Sequence, residues 1–235
     1  MNQADIGYIP PAIGVETQSF VTKVYNWMAL GLAVTAGCSW YMVSNPAMVV
    51  NLMRNPILFY GLLIGELLVV IGLSAAINRI SASTATLGFF FYSALNGVTM
   101  SVILLAYTQA SVASAFVVSA GMFGAMALYG QVTKKDLTSI GSFAAMALIG
   151  VIIASVVNMF VRSSGLDRLL SYASVLVFVA LTAWDAQKIR RMAEGGFGND
   201  AEIEGKATVM GALALYLDFI NLFISLLRIM GRRRD

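Results

Sequence analysis

Long apolar runs, each about twenty residues in length and separated by short polar connections, dominate this chain. A continuous run of that length matches a helix that crosses roughly 30 Å of hydrocarbon, whereas a membrane barrel needs shorter segments in which apolar and polar residues alternate. Seven such runs lie at 24–44, 57–77, 84–106, 111–131, 139–160, 168–188 and 207–230. The pattern predicts an all-α integral membrane protein with seven transmembrane helices.

The composition supports this class of protein. Hydrophobic residues make up 59% of the sequence and charged residues only 11%, and the mean hydropathy is +0.80. A soluble domain of this size would lack the polar side chains needed to cover its surface. The lipid bilayer is therefore the first predicted partner. Contact with anionic headgroups accounts for the net charge of +3, and no nucleic-acid partner is indicated.

Two segments outside the apolar runs are longer than a simple turn. Residues 1–22 are predicted to form a polar amino-terminal tail on the cytoplasmic side, and residues 189–206, which contain several glycines among alternating charges, are predicted to form a flexible loop. The remaining connections are too short to hold another domain. We expect one transmembrane domain, residues 23–235, after the tail.

Lysine and arginine are more numerous on one predicted side of the membrane than on the other. Given seven crossings, the amino-terminal side holds eight of them and the opposite loops hold three. Because positively charged loops tend to stay in the cytoplasm, this asymmetry predicts a cytoplasmic amino terminus. Arg228 and the run Arg232 to Arg234 would then lie outside. A last segment that re-enters the membrane without crossing it is therefore an alternative.

Two aspartates lie inside the last two predicted spans, Asp185 in the sixth and Asp218 in the seventh. A carboxylate at the centre of a membrane-spanning helix costs about 3 kcal/mol, so acids at such positions commonly mark a functional site. The chain has no histidine, the usual side chain for sensing protons near neutrality. Any response to pH is therefore predicted to depend on carboxylates or lysines.

Small and polar residues accompany each aspartate at helical spacing. The seventh span carries Gly211, Ala214, Asn221 and Ser225 on the stripe of Asp218, and the sixth carries Ser171, Ser174 and Thr182 on the stripe of Asp185. If the two stripes face each other, the carboxyls meet in a low-dielectric interior and would share a proton or a cation. They would also supply the hard oxygen ligands that Ca²⁺ prefers. The alternative is that each aspartate only hydrogen-bonds a neighbouring helix.

Two charges on the second span extend this hypothesis. Glu66 lies near the middle of that span, and Arg79 lies at the end toward which Asp185 points. An ion pair between Arg79 and Asp185 is geometrically reasonable, and contact of Arg79 with a lipid headgroup is the alternative. The candidates for an ion pathway are Glu66, Thr182, Asn221 and Ser225.

Pairs of small residues at four-residue spacing occur in the second and fourth spans. They are Gly61 with Gly65 and Gly121 with Ala125. Small residues at this spacing let two helices approach closely in lipid. We expect both pairs to lie at contacts between helices.

Little in the sequence indicates a cofactor. The single cysteine, Cys38, allows neither a disulfide within the chain nor a cysteine-based metal site. No glycine-rich phosphate loop appears. We therefore expect no cofactor, with Ca²⁺ present only as a permeant or bound ion.

Three segments of the chain resemble the Bax inhibitor-1, or transmembrane BAX inhibitor motif, family. Ala214–Ile229, which reads ALYLDFINLFISLLRI, resembles the signature of this family. Thr133–Gly141, TKKDLTSIG, and Leu181–Ile189, LTAWDAQKI, resemble two further segments. The signature is specific, the other two segments support it, and the resemblance covers nearly the whole chain.

The resemblance implies a fold in which a central seventh helix is wrapped by two three-helix layers. It also implies a pH-sensitive calcium leak gated by an aspartate pair, which maps onto Asp185 and Asp218, with Arg79 as the match to an arginine latch. Trp184 and Ala186 depart from the Tyr-Asp-Thr that the family usually shows, which changes the expected hydrogen bonding around Asp185. Bacterial members are similar to modulators of a membrane-bound ATP-dependent protease, and the implied location is the bacterial inner membrane.

The leading prediction is a passive, proton-regulated cation leak channel in which Asp185 and Asp218 bind protons or Ca²⁺. A non-catalytic modulator of a membrane-bound protease is the alternative from another class. An intramembrane aspartyl protease would also place two aspartates on consecutive helices. Such enzymes typically carry Gly-x-Gly-Asp at the second aspartate, whereas the run Leu215 to Leu217 precedes Asp218 here. The chain is therefore predicted not to be an enzyme.

Overall fold

The computed structural model describes residues 12–198 and 200–234, and this part of the chain is almost entirely helical. Its eight helices are α1 (Ala12–Ser44), α2 (Pro46–Arg54), α3 (Pro56–Ala76), α4 (Ala82–Ala106), α5 (Gln109–Val132), α6 (Thr138–Val161), α7 (Ser164–Gly195) and α8 (Ala201–Met230). No strand occurs in these residues, which contain a single isolated bridge between Tyr107 and Arg233.

Each predicted span coincides with one of the seven long helices to within one residue or lies inside it. The six helices α3 to α8 are long and apolar enough to cross a membrane, and the predicted ends of α3 to α6 agree with the structure to within a few residues. An all-α integral membrane protein is thereby confirmed. The first predicted span, 24–44, lies in α1, which is not among those six. The number of seven crossings therefore stays a prediction.

Helix α8 lies at the centre of the bundle. It packs against α1, α4, α5 and α7, and buried side chains occur on all of its sides, including Leu215, Tyr216, Leu222 and Leu227, each 0% exposed. Helix α3 packs on α4, and α6 packs on α7. The other long helices thus form two groups of three, α1 with α3 and α4, and α5 with α6 and α7. This arrangement matches the expected central last helix between two three-helix layers.

The bundle has two ends, which we define by their connections. The first end holds the α3–α4, α5–α6 and α7–α8 connections, and there Lys23 of α1 contacts Glu204 of α8 at 2.6 Å. At the second end the backbone after α8 joins the α4–α5 connection, because Thr108 N–H donates to Arg232 O and Arg234 N–H donates to Ala106 O, both at 3.0 Å. Helix α8 therefore runs from one end to the other, and the re-entrant alternative is wrong.

The predicted tail and flexible loop are shorter than the sequence indicated. Helix α1 begins at Ala12, and the ring of Phe20 packs on Phe197 with centroids 4.7 Å apart. Residues 1–11 of the predicted tail lie outside the described residues. Of the predicted loop 189–206, α7 takes the part up to Gly195 and α8 begins at Ala201.

Local interactions explain these helix boundaries. Asp200 caps α8 by accepting hydrogen bonds from the backbone N–H groups of Glu202 and Ile203. Gly196 has a φ of +69°, a value that glycine adopts without strain and that ends α7. The short helix α2 was not predicted. It begins with Pro46, in the first turn, where a missing N–H costs nothing.

Glycine contacts between helices occur at positions other than those predicted. Apart from the backbone of their own helices, no described atom lies within 4 Å of the Cβ position at Gly61, Gly65 or Gly121, so the expectation that their pairs lie at helix contacts is wrong for the described residues. Gly61 and Gly121 are exposed, and Gly65 is half-buried and lines a groove together with Leu95 of α4. Gly97 on α4 instead lies directly against α1, where its carbonyl accepts a hydrogen bond from Ser39 Oγ at 2.8 Å.

We predict that Gly97→Ala destabilises the protein by about 1–3 kcal/mol. The new methyl group would lie 2.7 Å from the Thr35 carbonyl oxygen and 2.6 Å from Cys38 Cβ, so α1 would have to move. Gly61→Ala is the matched control. Its Cβ position is open, and the higher helix propensity of alanine should stabilise α3 by up to about 1 kcal/mol. Denaturant unfolding of both variants in detergent micelles measures the difference; equal stability would contradict the close α1–α4 contact.

Candidate functional site

The carboxyl groups of Asp185 and Asp218 lie within hydrogen-bonding contact of each other. Helices α7 and α8 run antiparallel, and Ile189 of α7 lies against Gly211 of α8. Asp185 lies one turn before Ile189 on α7, and Asp218 lies two turns after Gly211 on α8. The two polar stripes therefore face each other. The contact requires α7 to continue beyond residue 188, and α7 does so, ending at Gly195.

The pair is poorly supplied with hydrogen-bond donors. Asp218 is 4% exposed, and its Oδ2 atom is buried without any hydrogen-bond partner among the described residues. An ionised carboxylate only accepts hydrogen bonds, so two ionised carboxylates in contact cannot form a hydrogen bond with each other. If one of them is protonated, its O–H can donate to the other. The geometry of the pair therefore suits one bound proton or one bound cation.

The cation that acts on Asp185 is Lys188 of the same helix, rather than the predicted Arg79. The Lys188 ammonium lies 5.3 Å from the centre of the Trp184 ring. Arg79 is exposed on the turn after α3. It belongs to none of the ion pairs formed by the described residues, which are Lys23–Glu204, Arg190–Glu194, Arg191–Asp136 and Lys206–Glu202. The expected pair between Arg79 and Asp185 is thus absent in this conformation.

Glu66 is buried in a polar network that the sequence analysis did not find. It accepts a hydrogen bond from Thr99 Oγ1 at 2.6 Å and one from Asn96 Nδ2 at 3.4 Å. Asn96 Oδ1 in turn accepts from the Tyr216 hydroxyl at 3.2 Å, and that hydroxyl lies 2.6 Å from Thr35 Oγ1. The network joins α3, α4, α8 and α1.

The network and the aspartate pair occupy different faces of α8. Tyr216 precedes Asp218 by two residues, which is a rotation of about 200° around a helix. The one available signal was the single tyrosine of α8, since a buried hydroxyl usually has a partner. Its partners lie on other helices and could not be assigned from spacing along one chain.

The side chains of the other proposed pathway residues donate hydrogen bonds to backbone carbonyls of their own helices. Thr182 Oγ1 donates to Phe178 O at 2.7 Å, Asn221 Nδ2 donates to Leu217 O at 2.8 Å, and Ser225 Oγ donates to Asn221 O at 2.7 Å. Thr182 and Ser225 are buried. The polar stripes therefore face the interior as expected, but these donors do not reach the aspartate pair.

The connection between α5 and α6 is fastened to α7 close to Asp185. The buried Gln187 side chain accepts a hydrogen bond from Leu137 N–H at 2.9 Å and donates one to Lys135 O at 2.8 Å. At the surface, Arg191 Nη2 lies 2.9 Å from Asp136 Oδ1. These contacts join two of the segments singled out in the sequence, 133–141 and 181–189. They fix the helix that carries Asp185 relative to α5 and α6.

The helices and the buried polar pair define a multi-pass α-helical membrane protein. Residues 17–235 match the family model described as Inhibitor of apoptosis-promoting Bax1. The chain is 47% identical over 226 residues to the inner membrane protein YbhL of Escherichia coli, with 96% of each chain covered. It is 44% identical over 223 residues to an uncharacterised protein of Deinococcus radiodurans, covering 94% of this chain and 93% of that protein. The chain belongs to the Bax inhibitor-1 family.

We predict that the Asp136 carboxyl titrates far below the ordinary value for aspartate. Hydrogen bonds from the Thr138 hydroxyl and N–H, followed by the Arg191 guanidinium, lower the pKa of this exposed carboxyl to about 2. A pKa lowered by folding contributes stability above about pH 4, the unfolded value, and this contribution is lost as the pH falls toward 2.

Carbon-13 NMR of labelled aspartate measures this midpoint. Thr138→Val should raise the Asp136 pKa more than Arg191→Gln does, because the threonine hydroxyl is the larger cause. A midpoint near 4 in the unsubstituted protein would contradict the geometry of this turn.

Proposed function

We propose that this protein is a passive, proton-regulated cation leak channel whose gate is the pair Asp185 and Asp218 and whose permeant ion is Ca²⁺. The observation that carries this proposal is the contact of two carboxyls beside the central helix, one of them buried with an oxygen that has no donor. Membership of the Bax inhibitor-1 family is compatible with such a role.

Repulsion between the two carboxylates supplies the energy for gating. With one proton the pair is hydrogen-bonded, and α7 stays against α8. When both groups ionise, two like charges about 4 Å apart repel each other by about 4 kcal/mol at an effective dielectric constant of 20. That energy corresponds to a change of nearly a thousandfold in a two-state equilibrium, because about 1.4 kcal/mol is a factor of ten. Ionisation of the pair, with loss of the Arg79 contact, frees α3 to move and so opens the path.

The carboxylate oxygens of the pair suit a permeating cation better than a tightly bound one. Ca²⁺ takes six to eight oxygen ligands, and two carboxylates supply at most four. No cluster of three or more acidic, histidine or cysteine side chains occurs in the described part of the chain. In this proposal water supplies the remaining ligands of a permeant or transiently bound Ca²⁺.

Helix α3 is the element that we assign to the moving part of the gate. Among the long helices of the described chain it packs mainly on α4, and Glu66 ties it there through Thr99 and Asn96. The Arg79 latch belongs to a second conformation, in which the turn after α3 approaches Asp185. With the amino terminus in the cytoplasm, this gate faces the cytoplasmic side.

We predict that Asp185→Asn and Asp218→Asn each abolish the pH dependence of Ca²⁺ flux, because a single remaining carboxyl has no like charge to repel. The measurement is Ca²⁺ uptake into proteoliposomes with a fluorescent indicator, from pH 5 to pH 8. Asp167→Asn is the matched control, since Asp167 is an exposed aspartate of α7 remote from the pair, and its pH profile should follow the unsubstituted protein. If both pair variants keep the original pH profile, the gate is refuted.

A further inference from the structure

A crevice of about 920 Å³ opens between α1 and α5 near the first end of the bundle. Its walls are formed by residues of α1, such as Val21 and Tyr25, and by residues of α5, such as Gly124 and Leu128. Arg190 and Glu194 of α7 line it at the end of the bundle. The proposed gate uses none of these side chains.

On the α5 and α7 side, the lining of the crevice is apolar nearer the bundle centre and mostly polar nearer the first end, whereas α1 contributes Val21 together with polar residues such as Thr22 and Asn26. Phe123, Gly124, Ala127 and Leu128 line the part nearer the bundle centre, and Gln131, Arg190 and Glu194 line the part nearer the first end. Because α5 is long and apolar enough to span a membrane, the inner part lies at the depth of the lipid chains. An apolar crevice open at that depth is filled by hydrocarbon, since no water is available there.

The charged mouth of the crevice carries both signs. Arg190 Nη1 donates to Gln131 O and Thr133 O, and Arg190 Nε lies 3.3 Å from Glu194 Oε1. The Nε–H group is buried and makes no hydrogen bond with the described residues. The Glu194 side chain is 54% exposed and can accept a further donor. A ligand that matches this mouth has an anionic group for Arg190 and a cationic hydrogen-bond donor for Glu194.

We propose that the crevice binds one phosphatidylethanolamine molecule. An acyl chain lies along α5 over Gly124, the phosphate contacts Arg190, and the primary ammonium donates to Glu194. Phosphatidylglycerol carries a net negative charge and would leave Glu194 unpaired beside it. The ammonium of phosphatidylcholine is fully methylated and cannot donate a hydrogen bond to the carboxylate. The arginine and glutamate pair therefore selects the ethanolamine headgroup.

The test of the crevice uses two glycines of α5. Apart from the backbone of α5 itself, no described atom lies within 4 Å of the Cβ position at either Gly124 or Gly121, so a side chain can start at both positions without a clash at Cβ. Gly124 lines the crevice and Gly121 does not. Native mass spectrometry of the full chain, delipidated and then incubated separately with phosphatidylethanolamine, phosphatidylcholine or phosphatidylglycerol, counts the lipids that remain bound.

We expect the unsubstituted protein and Gly121→Leu to retain one phosphatidylethanolamine, and Gly124→Leu to retain at least tenfold less. Glu194→Gln leaves the crevice open, and should lower the preference for phosphatidylethanolamine over phosphatidylglycerol severalfold. Equal retention by the two leucine variants would show that the lipid binds elsewhere. A Glu194→Gln protein with an unchanged preference, or an unsubstituted protein that prefers phosphatidylglycerol, would overturn the headgroup assignment.

Discussion

Two carboxyls that touch where water is scarce cannot both be ionised without strong repulsion, and this constraint lies at the centre of the molecule. Asp218 belongs to α8, the helix around which the other long helices pack, and its Oδ2 atom has no donor in the described chain. In the proposed gate, binding of a proton or a cation to the pair removes this repulsion between α7 and α8. The proposed gate therefore lies on the most buried of the six apolar helices, α8.

Hydrogen bonds to other parts of the bundle hold α7 and α8, the two helices that carry the aspartates, in place. On the α7 side, Gln187 hydrogen-bonds the backbone of the α5–α6 connection at Leu137 and Lys135, so α7 cannot shift without that loop. On the opposite face of α8, the Tyr216 hydroxyl contacts Thr35 and Asn96. The two polar sets differ in one respect. The Tyr216 network contains both donors and acceptors, whereas no donor among the described residues reaches Asp218 Oδ2.

The spans could be predicted because the thickness of a bilayer fixes the length of a continuous apolar run, and the aspartates because charge is costly there. Segments whose structure depends on tertiary contacts could not be predicted. Residues 12–22 and 189–195 are polar enough to resemble loops, yet they are helical: Phe20 packs on Phe197, and Ile189 and Ala193 are buried. Gly61 and Gly121 have the spacing of packing residues, but spacing does not show which face of a helix points outward. The position of Arg79 after its helix likewise gave no information on the direction of its side chain.

The most direct test of the account is whether Asp185 and Asp218 titrate as one unit. Infrared spectroscopy of the protein in bilayers, with carbon-13 at the aspartate carboxyls, follows the Asp185 signal, which is assigned by its loss in Asp185→Asn. If the two groups share a proton, Asp218→Asn shifts the midpoint of the Asp185 titration by at least about one pH unit. A midpoint for Asp185 that is the same with and without the Asp218 carboxyl would contradict the account.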